Sequence, residues 1–301
     1  MKKKYMIFGI FTAAAVVILA VLCYMKKLNV LDFDITYAGV ILTIVPATAA
    51  AVAKINDEKY RKINRLFLVL FGGLSILLFL DIIGILQIWA VEIIGGPMVF
   101  IASIGLFWLY KKETGKPVFE HFWQISRAMT IFVLILWVKN TALILLYSDQ
   151  YAMILGNLTT ILTVPLVIFL CSVQYWGEEY AWRGILQGAL QSKFGKRWGI
   201  VVLGVIWETY HCPLWFTVYD LQIWEVFMRY IFAIGLSFAL GYLYIKTENV
   251  WAPVLGHCIY NTVGNTGINI QMGTVGQIIF TLILAGVFGL FAFTKEFGEK
   301  S

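Results

Sequence analysis

Glu178, Glu179 and Arg183 stand in the run Trp176-Gly-Glu-Glu-Tyr-Ala-Trp-Arg-Gly184, in the second half of a 301-residue chain. His211 stands in Trp207-Glu-Thr-Tyr-His211, and His257 and Asn261 stand in Gly256-His-Cys-Ile-Tyr-Asn261. The flanking sequence is apolar throughout. An ionisable group in such a setting costs free energy wherever it lies in a bilayer, so each one is a candidate for function. The residue types suit hydrolysis. A carboxylate and an imidazole can share the proton of a water near neutral pH. An Asn amide and an imidazole N–H can donate to an oxyanion. One glutamate and two histidines, here Glu178, His211 and His257, are equally a catalytic zinc set, so Zn2+ stays open.

Helical spacing assigns neighbours. Glu179 and Arg183 are four apart and share a face, which predicts a structural ion pair. Glu178 is turned about 100° from that face and is left for chemistry. His257 and Asn261 repeat the four-residue spacing and can address one target. Trp207 and His211 do the same, so the indole is expected to wall the imidazole. Cys212 and Cys258 each follow a histidine by one position and face elsewhere, so neither is read as a ligand. The cysteines, Cys23, Cys171, Cys212 and Cys258, form no close-spaced pair, which argues against a disulfide framework.

The elements that carry these residues follow from composition. Hydrophobic residues make up 60% of the chain and charged residues 13%, about half the share usual in soluble domains. Apolar runs of about 20 residues predict membrane-spanning helices. The expected fold is all-α, a polytopic transmembrane bundle of about ten passes. The spans fall near 5–25, 35–53, 66–88, 95–110, 128–147, 154–176, 198–216, 226–245, 251–268 and 276–294. The division between the third and fourth rests on Gly95-Gly96-Pro97 as a breaker. The first run is longer than a signal-peptide core and lacks a small-residue cleavage site, so it reads as a retained anchor.

A net charge of +6 would suit nucleic acid, but its distribution is a topology signal. Alternate loops hold Lys2, Lys3, Lys4, Lys54, Lys59, Arg61, Lys62, Arg65, Lys111, Lys112, Lys116, Arg127, Lys193, Lys196, Arg197, Lys246, Lys295 and Lys300. The opposite loops hold Lys26 and Lys27, with Arg229 near that face and expected to snorkel. Both termini are therefore expected in the cytoplasm. On this layout Glu178 lies roughly 20 Å from the cytoplasmic end of its helix, if that helix runs to about Gln191. His211 lies roughly 18 Å beyond Gly199, and His257 roughly 9–16 Å in. The three can meet at one level if the sixth helix is long or tilted.

Three motifs in order, Glu-Glu-x-x-x-Arg, aromatic-x-x-x-His and His-x-x-x-Asn, each on an apolar helix, resemble the CAAX-protease/bacteriocin-processing (CPBP, Abi) family of intramembrane peptidases, often named metalloproteases. The resemblance covers about residues 158–268, and Trp251-Ala-Pro-Val-Leu-Gly-His257 is similar to the family's lead-in to its last motif. It implies that Glu178 and His211 activate water while His257 and Asn261 stabilise the oxyanion. Glu179, Arg183 and Trp207 take supporting places. Two positions depart from the pattern. Trp207 stands where the family usually has Phe, and Glu208 adds an acid three residues before His211.

Residues 151–301 are thus expected to form the peptidase domain, and residues 1–150 are N-terminal transmembrane helices of no assigned role. Asp81 and Lys139, mid-span in that first part, are expected to pair with each other or with Glu92. The implied activity is hydrolysis of a peptide bond in a membrane-associated protein or peptide, prenylated or not. The competing class is a non-proteolytic scaffold, immunity factor or transporter on the same fold. The expected partners are membrane lipids and a membrane-anchored substrate, with no nucleic acid. The expected location is a cell membrane, as in the bacterial members. Hydrolysis inside a bilayer needs a polar cavity open to the cytoplasm. Gly177, Gly184, Gly188 and Gly256 are expected to let helix backbones part or approach around it.

Overall fold

A computed structural model describes residues 2–55, 60–148, 151–264 and 272–298. Lys59 and Lys300 of the expected cytoplasmic set, and positions 265–268 of the expected ninth span, lie outside these residues. Among the described residues every regular element is helical. The α-helices are α1 (Lys2–Lys27), α2 (Ile35–Ala53), α3 (Arg61–Ile82), α4 (Ile88–Thr114), α5 (Phe122–Tyr147), α6 (Ala152–Thr159), α7 (Val164–Ala181) and α8 (Gly188–Phe194). They continue with α9 (Lys196–Tyr210), α10 (Cys212–Trp215), α11 (Ile223–Thr247), α12 (Trp251–Ile259) and α13 (Thr274–Gly289). Two π-helical turns, Trp182–Gln187 and Tyr260–Gly264, interrupt the pattern.

Eight helical stretches among the described residues are long and apolar enough to cross a membrane. The sixth is a run of 42 residues, Met153–Phe194, which provides the long helix that the depth argument required. Helices α9 and α12, which carry Trp207 and His257, are shorter, at 15 and 9 residues. They correspond to the expected seventh and ninth spans. The outward side chains of α1, among them Ile10, Val17, Ile18 and Val21, are more than half exposed, as a lipid-facing helix requires.

The third and fourth helices divide at a different place from the one expected. The break lies at 83–87, where Gly84 takes φ +72°, and Gly95-Gly96-Pro97 is inside α4. The physical reason is packing. A Cβ on Gly95 would collide with the Tyr37 hydroxyl of α2, so this glycine is a seat for a neighbouring ring rather than a hinge. Pro97 falls in the third turn of α4, and membrane helices tolerate such a proline.

The chain clusters into two compact units, each assembled from separated stretches. The first comprises 1–120, 169–185 and 209–222. Its centre is α2, where Ile44, Val45, Ala47, Ala49, Ala50 and Ala51 are wholly buried. The small side chains let neighbours come close, and α1, α3 and α7 use that room. Asp34 caps α2, accepting from Thr36 N at 2.9 Å, and donates its own N–H to Asp81 at 2.7 Å. Asp81 therefore holds the start of α2, and the expected pairing with Lys139 or Glu92 gives way to this backbone contact. At the other end of α3, Glu113 accepts from Lys62 N at 2.6 Å and from Ile63 N at 3.2 Å, satisfying helix-start donors.

The second unit comprises 121–168, 186–208 and 223–301. Here α11 is central and packs closely on α13. A Cβ on Gly235 would lie 2.9 Å from the Cα of Ala285. Within this unit Lys196 donates to the carbonyls of Glu296 and Gly298 at 3.2 and 2.6 Å, and Lys246 pairs with Glu296 at 3.1 Å. Burial pushes the Glu296 carboxyl up, but hydrogen bonds from Lys246, its own backbone and Thr294, together with the Lys246 charge, outweigh it and leave the carboxyl below its ordinary value. In the first unit Lys27 pairs with Asp220 at 3.0 Å. Each of these contacts joins segments that the charge pattern places on one side of the membrane.

Candidate active site

The first motif is held from one side by the wall of α2. A Cβ on Gly177 would lie 3.0 Å from the Thr43 carbonyl and 3.4 Å from the Ile44 Cα, so α7 meets the α2 backbone one residue before Glu178. An aromatic column then sets the rotation of α7. Phe67 stacks on Trp176 with centroids 5.4 Å apart, and Trp176 stacks on Tyr180 at 4.4 Å. Tyr60 meets both rings edge-on. Against the α4 side, Val173 N donates to Ser103 Oγ at 3.2 Å. Gly177 thus allows a close backbone approach. At Gly188 a Cβ would meet nothing within 4 Å. At Gly256 the approach is to side chains, Leu240 and Leu243, rather than to backbone.

Glu179 and Arg183 form the expected pair, at 3.0 Å, and both side chains are fully buried. Arg183 belongs to the first π-turn, which sequence spacing did not foresee. Glu178 is nearly as buried, at 4%. A cavity of about 140 Å3 in this unit is lined by Lys4 and Lys54 and by Gly184 and Ile185, the two residues after Arg183.

His211 sits outside a regular helix. The expected continuous span 198–216 is broken, because α9 ends at Tyr210 and the short α10 begins at Cys212, with Pro213 in its first turn. Pro213 supplies no N–H to a helix interior, so it suits a first turn. His211 is the residue between the two, half-buried, with φ −82° and ψ 0°. Tyr210 fixes this corner. Its hydroxyl donates to the Leu42 carbonyl of α2, its ring meets Trp182 at 5.3 Å, and it lies edge-on to His211 at 5.7 Å. Within the second unit the Trp207 indole walls the imidazole of His257, edge-on at 5.4 Å and 82°.

His257 is buried at 4% on α12 of the second unit. Asn261 follows it in the second π-turn and is half-buried. Beside Trp207, Glu208 accepts from Arg229 of α11 at 2.6 Å. Arg229 therefore has an ion-pair partner, and the extra acid of the second motif has its counter-ion. Sequence reasoning missed a further group. Lys139 donates to the Gly264 carbonyl at 2.6 Å, and Asn140 donates to the Val263 carbonyl at 2.6 Å and to Asn157 at 2.9 Å. The available signal was the presence of two amides in apolar helices, which normally point inward to a partner.

Of the zinc set, Glu178 and His211 belong to the first unit and His257 to the second. Within either unit, among the described residues, no three His, Cys, Asp or Glu side chains gather as a metal site requires.

Comparison with known proteins yields one family. The model of the type II CAAX prenyl endopeptidase Rce1-like family matches residues 160–263. This interval contains Glu178, Glu179, Arg183, Trp207, His211, His257 and Asn261, and it agrees with the resemblance drawn from the three motifs. No curated protein and no solved structure matches the chain.

Proposed function

On the premise that residues 160–263 are a segment of the CAAX prenyl endopeptidase family, we propose that this multi-pass membrane protein hydrolyses a peptide bond in a membrane-anchored substrate. The observation that carries the proposal is that one family match spans all three motifs, with every motif residue in place. Glu178 takes a proton from water as the water oxygen adds to the scissile carbonyl, and His211 shares the work of general base. The carbonyl oxygen becomes an oxyanion, to which an N–H of His257 and the amide of Asn261 donate. Collapse breaks the C–N bond, and the proton held by the acid passes to the leaving nitrogen. Water thereby supplies the hydroxyl of the new carboxyl group and the hydrogen of the new amine. Burial of Glu178 and His257 favours this chemistry, because fixed donors act more strongly where bulk water is excluded.

The substrate class follows from the family and the setting. A lipid or transmembrane anchor would hold the cleavage site at the membrane and raise its effective concentration. A prenylated peptide ending in Cys-aliphatic-aliphatic-X is the first substrate to test.

The experiment is cleavage of such a peptide by the purified chain in liposomes. Glu178→Gln keeps the shape and removes the base, so kcat should fall roughly 100-fold or more with the thermal transition preserved. Near-normal turnover in that variant would remove Glu178 from the mechanism. Turnover of the unmodified chain should also survive exhaustive chelation. Loss that added zinc reverses would replace direct activation by Glu178 and His211 with metal chemistry.

A further inference from the structure

The reaction just described makes no use of Lys139, yet this lysine stands mid-span in α5 with no acidic partner among the described residues. An ammonium in the bilayer is costly, and a methionine would fill the same space without that cost. Its one polar contact among the described residues is the Gly264 carbonyl, at 2.6 Å. The next residue, Asn140, is wholly buried and donates from one amide nitrogen to the Val263 carbonyl at 2.6 Å and to Asn157 Oδ1 of α6 at 2.9 Å. Asn157 in turn donates to the Trp137 carbonyl at 3.4 Å, which closes the network back onto α5.

Both accepting carbonyls belong to the π-turn Tyr260–Gly264, the turn that contains Asn261. A π-turn is less stable than the α-helix that surrounds it and tends to persist where function requires it. If it relaxed to α geometry, the rotation of Asn261 relative to His257 would change. We propose that Lys139 and Asn140 are positioning residues for the oxyanion-binding pair, clamping the π-turn at Val263 and Gly264 so that Asn261 keeps its angle to His257. The inference rests on the role given to Asn261 above. It also gives a catalytic purpose to a helix that precedes the family-matched segment.

The test is a double-mutant cycle in liposomes with the prenylated peptide, using Lys139→Met, Asn140→Leu and Asn261→Ala. Each clamp variant should lower kcat roughly 10- to 100-fold, as a displaced catalytic group does, with KM within about threefold of the parent. In the Asn261→Ala background the same clamp variants should cost less than about threefold, because the group they position is gone. Full cost in that background, or kcat within about twofold of the parent for both clamp variants beside a crippled Asn261→Ala, overturns the inference alone. Normal kcat in Asn261→Ala overturns the oxyanion reading and this inference with it. If one clamp variant does not fold, the other completes the cycle. Failure of both to fold also overturns the proposal, since a positioning role leaves the bundle intact.

Discussion

Glu178 and Glu179 are adjacent carboxylates with separate tasks, and the helix geometry of α7 is the cause. Glu179 faces along the helix to Arg183 and forms a pair with both side chains fully buried. Such a pair is weak evidence for net stability, but removing one partner strands the other charge. Glu179→Gln should therefore lower stability by about 3 kcal/mol, read as an earlier thermal transition in detergent. An unchanged transition would mean that Arg183 finds another anion. Glu208 illustrates the same rule at the edge of the site. Its partner Arg229 is more than a third exposed, so this ion pair is screened and contributes far less to stability.

At the scale of elements, the two π-turns deserve comparison, because each carries the second member of a motif. Arg183 is in the first and Asn261 in the second. A four-residue spacing in sequence assumes a regular helix, and a π-turn changes which face the later residue presents. Helix-to-helix approach is the other determinant. On α11, a Cβ at Gly235 would press on the Ala285 backbone of α13, with contacts of 2.9 and 3.0 Å to its Cα and carbonyl carbon. Backbone cannot rotate away as a side chain can. Gly235→Ala should thus destabilise by roughly 1–3 kcal/mol. Gly286→Ala on α13, where a Cβ would meet nothing within 4 Å, should be neutral or slightly stabilising. Equal thermal transitions for the two variants would contradict the close packing of α11 on α13.

For the molecule as a whole, the charge pattern and the two compact units make the same demand. Lys27 with Asp220 and Lys196 with Glu296 each join loops assigned to one side of the membrane. The basic loops predict which side is the cytoplasm. Cysteine labelling in a background without the native thiols checks this. Lys3→Cys and Lys295→Cys should react only from the cytoplasmic side, and Asp32→Cys only from the opposite side. Labelling of Lys3→Cys from outside would invert or dismantle the proposed arrangement with both termini in the cytoplasm.

The membrane class, the helical fold and the three motifs were legible in the sequence because they depend on local quantities. Apolar run length reports the solvent, and residue type reports the available chemistry. The Glu179–Arg183 pair was legible for the same reason, since its partners lie one turn apart. What needed the tertiary structure was every property set by a distant neighbour. Gly95-Gly96 looks like a break until Tyr37 is seen against it. The edge-on contact of Trp207 with His257 joins two separate helices, which no local spacing reveals. Asp81, Lys139 and Arg229 look like stray charges because their partners, Asp34 N, the Gly264 carbonyl and Glu208, lie 21 to 125 residues away along the chain. A buried polar group must be satisfied, but the sequence around it does not say by whom.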